Sequence, residues 1–176
     1  MYKYYCGVGS RQTPDYICQV FTRIASELSK LNYILRSGGA DGADLAFENG
    51  TNKKQIWLPW IGFNNSTEKF IFSKELTEPV ARLVINNQHW GRLSEAGKKM
   101  HCRNVHQVLG NLVDEPVSEF VLCWTKDAET IGGTATAIKL ANLFDIPVFN
   151  FGKCNTYDDA LLYWEHVCMF MELDEN

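Results

Sequence analysis

The chain contains no apolar run near the roughly 18 residues that a membrane span needs. Its N-terminal MYKYYCGVGS also lacks the pattern of a signal peptide. Both absences point to a cytoplasmic protein without a membrane partner. None of the six cysteines (Cys6, Cys18, Cys102, Cys123, Cys154 and Cys168) is paired as CxxC, and no histidine stands at zinc-finger spacing from two of them. Cys6, Cys123 and Cys168 fall inside apolar runs, as buried reduced thiols do. Neither a disulfide framework nor a structural metal is expected. The GxGxxG spacing of a dinucleotide site is missing, as are internal repeats and low-complexity tracts. A basic excess is missing too, since the formal net charge is −4. Unselective nucleic-acid binding draws most of its affinity from phosphate contacts. The acidic balance therefore disfavours single-stranded DNA as a partner, while leaving room for a local basic groove.

What is present suits one compact domain of 176 residues. Short β-rich runs alternate with helical periodicity. Tyr4 to Val8 reads as a strand. Ile17, Val20, Phe21, Ile24, Leu28 and Leu31 then fall at helical spacing, predicting a helix over 15–30. Strands follow at 33–36, 55–58, 120–124 and 147–149. Helices are expected at 43–49 (closed by Gly50), 74–86, 94–109, 133–144 and 157–171. The section of about 60–112 reads as an irregular or helical insertion. This order predicts an α/β, Rossmann-like fold with a mostly parallel sheet and helices on both faces. In such sheets ligands bind at the C-terminal edge of the strands, so the residues just after each strand matter most.

Three strand-to-helix loops are rich in glycine. In the first, Gly9, Ser10 and Arg11 offer backbone amides, a hydroxyl and a planar guanidinium to an anion. An ordinary tight turn with a surface arginine would look the same. The second holds Ser37, Gly38, Gly39, Asp41 and Asp44, with backbone free to lie close to a ligand. Asp41 and Asp44 can accept from ribose hydroxyls, and Asp41 can equally cap the following helix. In the third, Gly132, Gly133, Thr134 and Thr136 open a helix whose amides and hydroxyls suit phosphate. Close helix-to-sheet packing is the other reason for small residues there.

The motifs GVGSR, SGGADGAD and GGTATAIKLA resemble, in order and spacing, the Rossmann-like domain of DNA-processing protein A (the DprA/Smf group). They also resemble the wider SLOG superfamily, with its LOG-type phosphoribohydrolases and molybdenum-cofactor carrier-like proteins. The resemblance covers about 4–150 apart from the middle section. It implies a nucleotide-type ligand, self-association and, in the DNA-processing branch, single-stranded DNA binding. In LOG enzymes a PGGxGTxxE loop supplies a catalytic glutamate. Here Gly132 and Gly133 match the glycine pair, Ala135 replaces a glycine, and Lys139 stands at the glutamate position. Binding is thus expected rather than catalysis. Asp41 and Asp44, with Glu129, are the carboxylates that remain for a hydrolase alternative.

In the middle section, Trp60 and Phe63 follow a strand and can stack on a base or plug the core. Arg103 and Asn104, with Gln107, can face the pocket from a helix. His101 and His106 are five apart, a poor spacing for one metal. Lys98, Lys99 and Arg103 form a small basic cluster. Trp164, His166, Phe170 and Met171 make a stripe suited to core or oligomer contact. The expected molecule is a carrier, sensor or sequestering protein for a phosphate-bearing nucleotide-type ligand, with no cofactor of its own assigned.

Overall fold

The computed structural model describes residues 2–68 and 70–173. The chain order is β1 (Lys3–Gly9), α1 (Asp15–Lys30), β2 (Tyr33–Ser37), α2 (Ala43–Asn49), β3 (Lys54–Leu58), β4 (Phe70–Ile71), α3 (Lys74–Val84), α4 (Asn87–Arg92), α5 (Glu95–Leu109), β5 (Val121–Trp124), α6 (Thr134–Leu143), β6 (Val148–Asn150) and α7 (Tyr157–Met171). The six strands form one sheet in the order β4-β3-β2-β1-β5-β6, and each neighbouring pair is parallel. The expected α/β class with a parallel sheet is what the structure contains.

Side chains alternate across the sheet with period two. Tyr5, Leu35 and Leu122 enter one core with Phe21, Ile24 and Phe47. Cys6, Val8, Val121 and Cys123 enter the other with Val105, Val108 and Ile138. Helices α1, α2 and α7 bury residues in the first core, while α3, α5 and α6 bury residues in the second. Both faces are therefore covered, as a parallel sheet requires. On α7, Ala160, Trp164 and Val167 pack inward, whereas Phe170 is exposed.

Two elements depart from the sequence reading. The helix expected over 74–86 ends at Val84, because Ile85 turns extended and the Asn86 side chain accepts from the His89 amide (2.8 Å) to start α4. Strand β4 is two residues long, too short to show a period, and exists through pairing with Trp57 and Leu58. Gly50 does close α2, but in a right-handed rather than left-handed conformation. A Cβ there would collide with the Thr22 carbonyl of α1.

Arg36 is fully buried on β2. Its guanidinium donates to Gln55 (3.0 Å), the Pro116 carbonyl (2.8 Å) and Glu115 (3.1 Å), and lies 3.8 Å from the Tyr4 ring. This arginine pins the loop after α5 to the sheet. His106, on α5, stacks on Trp57 with ring centroids 4.2 Å apart. Its Nδ1 is 2.6 Å from the Gly110 carbonyl and therefore carries the proton, while Nε2 accepts from the Ser73 amide (3.2 Å).

Burial lowers the His106 pKa below its ordinary value. The native state then binds fewer protons than the unfolded chain, so this contribution is present above about pH 6.5 and is lost as pH falls through the folded pKa. Glu48, raised by burial to about 7, acts with the opposite sign. A comparison with His106→Gln isolates the histidine: the variant is expected to be less stable at pH 8 but to lose less stability than the parent between pH 7 and 5, in urea titrations. Parallel curves for the two proteins would refute the assignment.

Candidate ligand site at the sheet switch point

From β1 the chain winds outward through β2, β3 and β4, then returns to place β5 on the other side of β1. The crevice outside the C-terminal ends of β1 and β5 is thus the topological switch point, where open α/β sheets bind ligands. A cavity of about 530 Å³ lies there. Its floor is the β1–β5 junction, where Gly9 pairs with Trp124 and the Ser10 amide donates to the Trp124 carbonyl (3.1 Å). One wall is α5, and the opposite rim is the Ile131–Thr134 loop that opens α6.

The walls meet through side chains of α5. Asn104 Nδ2 donates to the Gly133 carbonyl (2.8 Å), and His101 Nδ1 lies 2.7 Å from Thr136 Oγ1. Gly97, Met100, His101 and Asn104 all line the cavity. Their spacing of three and four residues puts them on one helix face. Burial, followed by the charges of His89 and Arg103, lowers the His101 pKa.

At the back of the cavity, Asp44 and Arg103 form a buried ion pair (3.4 Å). The same Asp44 carboxylate accepts from the Ala40 amide (3.4 Å), and the Gly9 amide also acts on it. Burial pushes the Asp44 carboxyl up, against the pull of Arg103 and of these amides. Gln107, with its amide oriented by the surrounding network, accepts from Arg103 Nη1 (3.0 Å) and the Gly38 amide (2.8 Å) and donates to Asn104 (2.9 Å). Arg103 stands where a Cβ on residue 38 would be, so only glycine lets the guanidinium lie against that loop. Among the described residues Arg103 Nε has no partner.

The structure brings Gly9, Ser10, Arg11, Asp44, Arg103, Asn104, Gly132, Gly133 and Thr134 to this cavity. Others from the sequence reading lie outside its lining. Ser37 donates to the Gly7 carbonyl (2.7 Å) and is buried structure. Gly38 and Gly39 back the arginine and Leu58. Asp41 neither caps α2, whose N-cap is Gly42, nor lines the cavity; it accepts from Asn64 (3.0 Å). Trp60 and Phe63 pack edge to face with centroids 5.2 Å apart, after β3. Thr136 acts through His101. Lys139 is exposed on α6, outside the lining. Of the basic cluster, Lys98 is engaged by Glu95 (2.7 Å).

Sequence reasoning missed Trp124, the last residue of β5, with Thr125 and Lys126 after it, and did not place His101 at the pocket. The position at the end of a strand was the available signal for the first three. For His101 the signal was its place one turn before Asn104 on the same face.

The charged residues on the cavity wall are Arg11, Arg103 and Lys126 against Asp44 alone among the described residues. In a chain of net charge −4 this is a locally cationic site. The Gly133 N-cap contributes no side-chain cap to α6. The amides of Arg11, Gly132, Gly133 and Thr134 donate to no other backbone group among the described residues. Uncapped amides at a helix start favour an anion. Gly132 adopts φ 65°, but Gly133 is ordinary right-handed helix (φ −64°, ψ −32°). A Cβ on either would meet nothing within 4 Å. No packing contact therefore explains glycine at 133, an exposed residue that lines the cavity.

These features define a Rossmann-like α/β protein with a cationic switch-point pocket. Among solved structures the chain is similar to DNA processing protein A from Helicobacter pylori, described for its single-stranded DNA binding mode. The TM-score is 0.55 at 18% identity, covering 99% of this chain and 82% of that one. At this identity the likeness is one of fold. No family model matches the chain, and neither does any curated protein.

Replacing Asp44 with Ala leaves the Arg103 guanidinium buried without its carboxylate. The expected loss is about 3–5 kcal/mol, read as a lower urea midpoint. The double variant Asp44→Ala/Arg103→Met should regain most of it. A single-variant loss below about 1 kcal/mol, the level of a surface pair, would show that the pair does not organise this wall.

Proposed function

We propose that this chain binds a phosphate-bearing, nucleotide-type small molecule in the switch-point cavity, as a carrier, sensor or sequestering protein. The observation that carries this reading is the uncapped start of α6, where Gly133, a glycine in right-handed conformation with no neighbour in the place of a side chain, lines a cationic cavity. Such a residue lets a ligand approach the backbone, and the phosphate would sit against the start of α6 with Arg11 and Lys126 at the rim. A volume of about 530 Å³ falls in the range of about 300–1,000 Å³ typical of small-molecule sites. A place in the SLOG superfamily agrees with this ligand class. Hydrolysis in the LOG manner is the less supported variant, because Asp44 is engaged by Arg103 and residue 139 is an exposed lysine.

The test is thermal unfolding with AMP, ADP-ribose, cyclic AMP and NAD. A ligand at a hundred times its Kd stabilises by about 2.7 kcal/mol, which for a domain of this size raises Tm by roughly 5–10 °C. Gly133→Val is expected to lower the unliganded Tm by only about 2–4 °C, the cost of a poor N-cap, and to lose the shift. Millimolar concentrations of all four ligands without any shift would overturn the reading.

The fold likeness to DNA processing protein A favours a second reading, in which a single DNA strand lies along the same edge. It predicts oligonucleotide binding that weakens steeply with salt. Absence of binding at low ionic strength removes it.

A further inference from the structure

The cavity holds a titratable group that the reading above does not use. His101 bridges the wall formed by α5 to the first turn of α6, through Thr136, and it lines the cavity where the uncapped amides of α6 begin. We propose that His101 takes up a proton from solvent when a phosphomonoester dianion enters, and that this lets the pocket distinguish a terminal phosphate from a phosphodiester. The proposal rests on the nucleotide reading and deepens it.

Charge is what separates the two ligand types. A phosphomonoester carries close to two negative charges at neutral pH, whereas a diester carries one. Of the cations that face the site, Arg103 is already half committed to Asp44. Arg11, from the loop after β1, and Lys126, from the loop after β5, are exposed at the rim. Imidazole is the side chain that can add a charge near neutral pH. In the free protein everything around His101 opposes protonation. Burial, His89 of α4 and Arg103 of its own helix all lower its pKa. Arg11 and Lys126 have the same sign, and Asp44 of α2, the opposing charge, is spent on Arg103.

A bound dianion reverses this balance. An opposite charge within a few ångströms favours the charged form. Thr136 makes the change possible without rearrangement, because its hydroxyl can donate to a neutral Nδ1 or accept from a protonated one. The His101–Thr136 contact survives in both states. Protonation of Nδ1 leaves Nε2–H as a charged donor, and such a hydrogen bond is about twice as strong as a neutral one. Arg103 holds the back of the same cavity: it is 5% exposed, lines the space, and is fixed by Asp44 and the Phe63 ring.

The test is an NMR titration of the imidazole signals of the whole chain. Comparison with His101→Gln identifies the His101 signal among the four histidines. It is run on the free protein, with saturating AMP, and with the methyl ester of AMP, a diester of nearly the same shape. The His101 pKa is expected to rise by about 1–3 pH units with AMP and by much less with the ester. His101→Gln should weaken AMP binding roughly tenfold, as one pH unit of coupling implies, and ester binding little. If the variant does not fold, through-bond assignment of the wild-type signals carries the same test. An unchanged His101 pKa with AMP demonstrably bound overturns this proposal and leaves the nucleotide reading intact. Equal weakening of both ligands also overturns it. Failure of AMP and its ester to bind overturns both.

Discussion

The buried Asp44–Arg103 pair is the constraint on which the candidate site depends. Asp44 is the second residue of α2 and Arg103 lies midway along α5, so the contact joins elements almost sixty residues apart in sequence. The carboxylate also gathers the amides of Ala40 and Gly9. It therefore fixes the loop after β2 and the end of β1 together. Gln107 extends the network to Gly38 and Asn104, and Asn104 reaches the Gly133 carbonyl. The loop after β2 is tied to that pair directly, and the start of α6 is tied to it through Gln107 and Asn104.

Such an arrangement is costly by itself. Taking an arginine and an aspartate out of water is compensated only when geometry and further hydrogen bonds are good. Here the ion pair closes at 3.4 Å and one guanidinium nitrogen remains without a partner among the described residues. An apolar pair of similar volume would pack at least as well. Proteins keep poorly satisfied polar groups most often where function requires them. Arg36 makes the contrast plain: equally buried, it has every nitrogen engaged by Gln55, Pro116 or Glu115. The fully satisfied arginine holds the fold, and the incompletely satisfied one faces the cavity.

Much of the fold is legible in the sequence because it is local. The apolar spacing of α1 and the capping residues around α2 and α7 give those helices their observed limits. Strand β4 and helix α4 escape such reading, since one has two residues and the other depends on a single asparagine cap. The site is less legible, for a topological reason. The glycine loops after β1 and before α6 are visible, but their meeting depends on β5 returning beside β1. That order also leaves Trp60 exposed after β3, two strands from β1, while Phe63 packs inward with its ring centroid 5.9 Å from the Arg103 guanidinium. Asp41 and Asp44 look alike in sequence; the turn at Gly42 (φ 78°) that starts α2 sends one to Asn64 at the surface and the other to Arg103 inside.

The glycines divide by what surrounds them. At Gly38 an arginine fills the place of the side chain, and at Gly50 a helix carbonyl does. These two would be glycine in any protein that packed this way. At Gly132 and Gly133 nothing fills it. Gly132 has φ 65°, which glycine adopts without strain, whereas Gly133 is the N-cap of α6, where a serine, asparagine or aspartate would bring a side-chain acceptor that glycine lacks. The chain forgoes that side-chain cap at the rim of a cationic crevice. An anion seated on the α6 amides would take its place.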